Sequence, residues 1–323
     1  MILVTGGAGF IGSNFIRYVV EQHKEQVVVL DKLTYAGDLA NLIGLDKDFV
    51  KFVEGDIADS DLVLDLLLTY HPRGIIHFAA ESHVDRSIDS SMPFVEANVV
   101  GTVKLLEAAK QYLQIRNNYK KGLVDFRFHH ISTDEVYGSL QLDDPAFTET
   151  TLYAPRSPYS ASKAASDHFV AAYGTTHNVP WVLTNCSNNY GPRQHKEKLI
   201  PTVITKALRN EPIPIYGQGT NIRDWIHVQD HCEALWTVFK QAPNGERYNI
   251  GGKCQISNLD LVVKILKLMN KPRDLITFVT DRLGHDFRYD IDNEKIEKTF
   301  KWRPKVKLEE GLKQTIEWYT NEK

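Results

Sequence analysis

The chain opens on MILVTGGAGFIGS, an apolar run of strand length that breaks into glycine and resumes as the helical stretch SNFIRYVV. No other feature constrains the fold as hard. Gly7, Gly9 and Gly12, with Gly6 ahead of them, permit a tight turn and let backbone N–H groups approach a pyrophosphate at a helix N-terminus. Asp31 ends the second strand-like run, QVVVLD, 19 residues beyond Gly12. After a strand–glycine–helix unit, an acid at that spacing accepts from the two ribose hydroxyls of NAD and repels a 2′-phosphate. Lys32, next to it, softens that preference.

The pattern set by this unit continues. VKFVEGD, GIIHFAA and FRFHHIST are further β-rich runs, and VPWVLTNCS makes a sixth. SDLVLDLLLTYH, PFVEANVVGTVKLLEAAKQYL and SPYSASKAASDHFVAAYGTTH carry apolar residues at helical spacing between them. Strands alternating with helices predict an α/β fold, a doubly wound parallel sheet of Rossmann type. Beyond about residue 186, glycine and proline thicken through NNYGPRQ, NEPIPIYGQGTNIRD and APNGERYNIGGK. The expectation is an NAD-binding domain over 1–186 and a smaller, loop-rich C-terminal substrate lobe over 187–323. RDWIHVQDHCEALWTVFK reads as helical, and the segment around 222–242 is expected to pack back on the first domain.

Composition narrows the function. A net charge of −3 over 323 residues gives no electrostatic reason for nucleic acid or an anionic membrane as partner. Lys120–Lys121 and Lys196 with Lys198 read as solvated basic clusters on this ground alone. Three spaced cysteines, Cys186, Cys232 and Cys254, argue for reduced thiols and a cytoplasmic setting. MILVTGG enters a strand at once, without the charged start of a signal peptide, and no apolar run reaches the roughly 18 to 20 residues of a bilayer span. No metal is expected: His129 and His130 point to opposite faces of a strand, and His83 with Asp85 reads as loop ordering.

Two constellations carry chemistry. Tyr159 and Lys163 are four apart on a helix, so they share a face. A phenol of pKa ~10 becomes a base near neutrality only beside positive charge, which a lysine and a nicotinamide ring supply. Asp134 and Glu135 follow the fifth strand, side by side in ISTDEVYG. Adjacent carboxylates project in different directions and, when close, hold different protonation states, which suits one as acid and the other as base.

TGGAGFIG with YSASK resembles the extended short-chain dehydrogenase/reductase family. DKLTYAG, AAESHVDRSI, ISTDEVYG, NCSNNYGP, EKLIP, IRDW and DRLGHDFRYDID, running in order along nearly the whole chain, resemble its dTDP-glucose 4,6-dehydratase branch. Sister epimerases tend to lack the acid pair. The resemblance implies oxidation at carbon 4 of a nucleotide-linked glucose, loss of water across carbons 5 and 6, and hydride return to carbon 6. It makes Asp134 the acid toward the 6-hydroxyl, Glu135 the base at carbon 5, and Thr133 a partner of the carbon-4 oxygen with Tyr159 and Lys163. NAD contacts are implied for Gly6, Gly9, Phe10, Ile11, Gly12, Asp31, Lys32, Leu33, Thr34, Asp56, Ile57, Phe78, Ala79, Ala80, Ala97 and Asn189, besides Tyr159 and Lys163. For the sugar nucleotide the implied residues are Ser82, Thr133, Asn188, Lys198, Leu199, Pro214, Ile215, Tyr216, Asn258 and His285 with its neighbours, with Tyr289 beside them. Arg223 and Arg288 read as the diphosphate partners, since a guanidinium contacts phosphate bidentately.

Three departures from the family pattern stand out: Ala97 in place of a threonine, Phe287 with Asp290 where arginine and alanine are usual, and a chain that stops at EWYTNEK. The acid next to a presumed diphosphate site leaves UDP-sugars open beside dTDP-sugars. A homodimer through helices near 93–113 and 158–177 is the assembly the family implies. Two other functions stay open: a nucleotide-sugar 4-epimerase, which shares Tyr159 and Lys163 but has no use for Glu135, and a non-catalytic NAD sensor, which would have no need of the Tyr–Lys pair.

Overall fold

The computed structural model describes residues 1–120 and 125–321, so Lys121 of the first basic cluster lies outside the described residues, as does the side chain of Lys120. Among the described residues there are twelve strands: β1 Ile2–Thr5, β2 Val27–Asp31, β3 Val50–Glu54, β4 Gly74–His77, β5 Arg127–Thr133 and β6 Trp181–Cys186, then β7 Asn188–Tyr190, β8 Ile213–Tyr216, β9 Ile222–His227, β10 Glu246–Ile250, β11 Gln255–Ser257 and β12 Ile276–Val279. Seven of them form one sheet in the order β10-β6-β5-β4-β1-β2-β3, every pairing parallel.

The period of two along each strand decides what covers each face. Ile2 and Val4 of β1, with Val27 and Val29 of β2, face the helices Phe10–His23 and Val228–Gln241. Leu3, Val28 and Leu30 face the other way, onto Ser60–Tyr70, Gly101–Lys120 and Pro158–His177. Each face is buried, so the sheet lies between two helical layers. A third core belongs to the C-terminal lobe, where helices Leu199–Leu208, Asn258–Leu268 and Leu308–Asn321 close over Ile213, Ile215 and Trp225. Two small sheets complete that lobe, β11-β9-β7 and β12-β8.

Periodicity predicts helix from Arg223 onward, whereas the structure has strand β9 up to His227 and helix only from Val228. β9 is the middle strand of its sheet, and pairing on both sides overrides the helical pattern that WIHVQDHC extends backward. The large sheet also gains a strand within the segment assigned to the lobe. β10 pairs with β6 from Glu246↔Val182 to Ile250↔Cys186, a contact that local sequence does not announce.

The long helix ahead of β5 contains a π-helical turn, Val95–Val100, before Gly101–Lys120. Such turns re-aim side chains and recur at functional sites. Here Asn98 is buried, its Nδ2 donating to Glu81 O at 3.0 Å and Ser162 Oγ at 2.8 Å, while Ala97 and Glu96 reach the cleft described next.

Candidate active site

In the sheet order, β1 is flanked by β2 on one side and β4 on the other, so connections leave β1 and β4 in opposite directions. A crevice opens at the carboxyl ends of strands at such a switch point. The cleft found there has a volume of about 680 Å³ and is walled by the glycine turn, the ends of β2, β4, β5 and β6, and the start of helix Pro158–His177.

The turn is built for close approach. Gly6 sits at φ +69°, and a Cβ there would lie 2.5 Å from Ala79 N. A Cβ on Gly12 would fall 2.3 Å from Gly6 O, whereas one on Gly9 would meet only Gly6 O, at 3.3 Å. Gly6 and Gly12 thus lock turn to strand and helix to turn, and Gly9 leaves the cleft side clear for an anion at the helix N-terminus. Asp31, 8 % exposed, accepts from Ala8 N through Oδ2 and from Leu33 N through Oδ1, both at 2.9 Å. Those bonds fix its carboxylate at the cleft edge with lone pairs left for a ribose. Lys32 is paired with Asp56 Oδ2 at 2.6 Å, so its charge is already answered and a 2′-phosphate gains little from it. Glycine cradle and anchored acid together fit NAD.

Phe10, Ile11, Thr34, Ile57, Phe78, Ala79 and Ala80 line the same cleft, with Ala97 and Asn189. Leu33, at φ 53°, contributes its N–H to Asp31 and is absent from the lining. The Asn189 amide is spent on the protein: Oδ1 meets His231 Nδ1 at 2.7 Å and Nδ2 donates to Ser187 O at 3.0 Å.

At the far end stand Thr133, Asp134, Glu135, Tyr159 and Lys163. β5 ends at Thr133 and the chain makes one 3₁₀ turn, Asp134–Tyr137, stopped by Gly138 at φ +101°. Three residues per turn sets consecutive side chains about 120° apart, so one short turn aims two carboxyls differently. Asp134 is buried; Thr133 Oγ1 donates to its Oδ1 at 3.3 Å, and its Oδ2 has no partner. Burial, then the charges of Glu135 and Asp224, push its carboxyl well above the usual range. Burial also raises Glu135, but Lys198, Arg223 and Arg282 pull against it. The pair is thereby split, with the neutral form favoured at Asp134 and cations gathered at Glu135.

Tyr159 projects from the first turn of its helix, which Ser157 and Ser160 close with a reciprocal capping box. Burial, then Glu135, Cys186 and Asp134, push the phenol well above its ordinary range, with the Thr133 hydroxyl acting the other way. Left to the chain's own charges, Tyr159 is a phenol, and positive charge must be supplied beside it for basic work. Lys163 is 4 % exposed, and its Nζ donates to Ile131 O at 2.8 Å.

The substrate-side residues fall into four groups. Ser82, Asn188 and Lys198 line the cleft, with Lys198 Nζ donating to Ser82 O at 2.7 Å. Tyr216 and His285 gather on the lobe around Arg282, whose Nε lies 2.5 Å from Asp85 Oδ1. Tyr216 donates to Asp85 Oδ2 at 3.3 Å, and His285 Nδ1 lies 2.7 Å from Asp281 Oδ1. Arg223 stacks 4.2 Å over the Tyr289 ring. Pro214 and Ile215 belong to β8, with Ile215 in the lobe core, while Leu199 and Asn258 begin their helices. Asn258 Oδ1 is buried without a partner.

Arg288 departs from expectation. Nε donates to Gln255 Oε1, Nη1 to the carbonyls of Gln141 and Asp144, and Nη2 to Asp290 Oδ2, all within 3.0 Å. Its fork is consumed by the protein, and it clamps the loop after the acid pair instead of waiting for a diphosphate. Asp290, the unusual acid, is its ion-pair partner.

His129 and His130 are fully buried, with Nε2 at 3.1 Å from Thr184 Oγ1 and 3.2 Å from Ser166 Oγ respectively. Burial takes His130 down to about 4 and His129 well below its usual value, so both pack as neutral rings. No group of three or more His, Cys, Asp or Glu among the described residues could hold a metal ion, and no helix there is long and apolar enough to cross a membrane. The spacing motifs pass over Glu81, Glu96, Gln194 and His195, which also line the cleft. They belong to irregular or π-helical backbone, where spacing carries no signal.

The profile of the GDP-mannose 4,6 dehydratase family matches residues 3–315. The dTDP-glucose 4,6-dehydratase of Neisseria gonorrhoeae is 50 % identical, with 100 % of this chain and 96 % of that protein aligned. That of Shigella flexneri is 49 % identical, covering 98 % and 92 %. Among solved structures, the dTDP-glucose 4,6-dehydratase DesIV of Streptomyces venezuelae, with NAD bound, superposes with a TM-score of 0.92 at 43 % identity, covering 99 % of this chain and 97 % of that one. The chain belongs to the GDP-mannose 4,6 dehydratase family and, within it, to the dTDP-glucose 4,6-dehydratases.

Proposed function

We propose that this chain, with NAD in the cleft beside β1, converts dTDP-glucose to the 4-keto-6-deoxy sugar with no net oxidation. One observation carries the reading. A buried carboxyl with an orphaned oxygen, Asp134, and a cation-faced carboxylate, Glu135, share one turn beside Tyr159. The chemistry NAD supplies when bound is acceptance of a hydride at carbon 4 and its return at carbon 6.

The chain's own residues handle the protons. Tyr159 takes the proton of the 4-hydroxyl while Thr133 bonds the carbon-4 oxygen, and the Lys163 ammonium steadies the phenolate. The resulting ketone acidifies the proton on carbon 5, which Glu135 removes. Asp134, held neutral by burial and by Glu135, gives its proton to the departing 6-hydroxyl, so water leaves across carbons 5 and 6. Glu135 then returns its proton to carbon 5, and the proton that Tyr159 took from the 4-hydroxyl makes good the one Asp134 gave up, by exchange through water, so every group regains its starting state. Lys198, on the cleft wall, is the cation placed to meet the nucleotide's phosphates, while Arg223, whose Nη1 and Nη2 donate to the carbonyls of Ile222, Phe287 and Asp286, adds positive charge toward Glu135.

The working unit is a homodimer joined through the helices at 92–120 and 158–177, whose Met92, Val95, Val100 and Phe169 are exposed apolar side chains. Three free cysteines suit a reducing, cytoplasmic setting. Two lobes divide the labour, the sheet domain holding NAD and the C-terminal lobe the nucleotide.

The test is incubation of the purified protein with dTDP-glucose and, separately, UDP-glucose, without added NAD. A 4-keto-6-deoxy product with higher kcat/KM for the dTDP-sugar is expected. A galactose-configured product would overturn the dehydratase reading in favour of an epimerase. Sedimentation of the holoenzyme as a monomer would overturn the dimer.

A further inference from the structure

Lys163 has to be a cation beside Tyr159, yet it is 4 % exposed and its Nζ donates to a neutral acceptor, Ile131 O, at 2.8 Å. A buried ammonium needs a compensating charge. One helical turn further on lies Asp167, fully buried, with Oδ2 accepting from Ser132 Oγ and from Tyr153 OH, each at 2.8 Å. Its Oδ1 is 3.1 Å from His130 Nε2. An acid that accepts from two hydroxyls on one oxygen is set up as a carboxylate, and with its Oδ1 left without a hydrogen-bond donor it too needs a cation.

We propose that Asp167 is the buried counter-charge that keeps Lys163 an ammonium ion, and so is a positioning residue for the proton step at Tyr159. The inference rests on the dehydratase reading.

The other groups nearby do not fill that role. His77 from β4 and His130 from β5 lie beside Lys163, but burial depresses both, His130 to about 4, so both rings are neutral near pH 7. Cys186 from β6 faces Lys163 as a thiol, raised by burial to about 12. Around Asp167, Tyr137 and Tyr153 come from the loop after β5, and burial raises both phenols, leaving them uncharged. Arg247 of β10 covers the far side of the Tyr153 ring, 4.7 Å from its centroid. Burial lowers Lys163, and Asp167, then Cys186, act against that loss. Eight residues of helix put Asp167 about 12 Å along the axis from Tyr159, so it supports the lysine without strongly opposing the phenolate.

The test is Asp167→Asn in the full-length NAD-loaded enzyme, with kcat and KM for dTDP-glucose followed across pH. Turnover requires protonated Lys163, so it fails above the lysine's pKa, and removing the carboxylate lowers that pKa. The alkaline limb should move toward neutrality by about one pH unit, so that kcat at pH values above the unaltered enzyme's limb falls about tenfold, with KM nearly unchanged. Heteronuclear NMR titration of Lys163 Nζ, assigned against Lys163→Arg, should show the same shift. Tyr153→Phe removes a donor that shares the carboxylate while leaving its charge to the lysine, so it should move both readouts slightly to higher pH, and serves if the Asn variant does not fold. Unchanged limbs and an unchanged lysine titration would overturn the proposal. If the unaltered enzyme makes no 4-keto product, the dehydratase reading fails, while the NMR titration still reports on the pair.

Discussion

Replacing Glu135 by glutamine keeps the shape of the acid pair and removes one charge, and the structure gives the change two opposite consequences. As the carbon-5 base, Glu135 carries elimination, and loss of a positioned general base costs about 10² to 10⁴ in rate, or roughly 3 to 5 kcal/mol of barrier. Its negative charge also acts on its neighbours. It stands first after burial among the causes that raise Tyr159, and likewise for Asp134. Without it the phenol ionises more readily, and the oxidation half-reaction needs the phenolate, so the acid limb of that half moves to lower pH. In single turnover with dTDP-glucose, the nicotinamide absorbance change marking carbon-4 oxidation should therefore appear at the normal rate or faster near neutral pH. Release of water and the 4-keto-6-deoxy product should fall at least about a hundredfold, the least that a positioned general base contributes. A Gln variant that loses oxidation and dehydration in equal proportion would refute this division of labour and place Glu135 in the first step.

Gly12→Ala places a Cβ 2.3 Å from Gly6 O and 2.9 Å from Gly7 Cα, both backbone atoms that cannot rotate away; co-purified NAD, measured after denaturing the protein, should be lost. Arg288→Ala strands Asp290 and opens the loop at Gln141 and Asp144, so denaturant unfolding should show a loss of about 3 kcal/mol while KM stays near normal; a large rise in KM with stability intact would return Arg288 to the diphosphate. Acid should destabilise the fold through buried neutral histidines. Burial holds His130 at about 4 and His231 at about 3 against an ordinary 6.5, so the stability they carry is full above 6.5 and is lost as pH falls toward those folded values. Near pH 5 each should already cost roughly 2 kcal/mol, visible as a falling Tm that His231→Gln partly flattens.

The first half of the chain was legible because each signal there is local. Alternation in MILV and VVVL sets which side chains face which helical layer, and a glycine turn between strand and helix needs no distant partner. The acid pair was legible for the same reason, since Thr133, Asp134 and Glu135 sit on one turn. What escaped depends on distant contacts. β9 and β10 are strands because of what they pair with, and their own sequences carry a weaker signal. Arg288 resembled a phosphate ligand because the four protein acceptors that engage its guanidinium come from residues scattered between 141 and 290. Asp167 drew no notice in the sequence, because its place four residues past Lys163 does not reveal that both are buried.

The seventh strand has a consequence for how the molecule is made. During synthesis β1 to β6 can assemble in order, but β6 is then an open edge of buried, β-branched character until β10 arrives. Between them the ribosome must deliver β7, β8, β9 and helix Val228–Gln241, which also covers the exposed face of the young sheet. Nascent chains stalled short of Ile250 should therefore be sticky and dependent on chaperones, while a slightly longer chain covers β6 with β10, whose Glu246 and Arg247 make a charged edge. The strand that covers β6 thus sets the length at which this polypeptide first becomes safe to leave unattended.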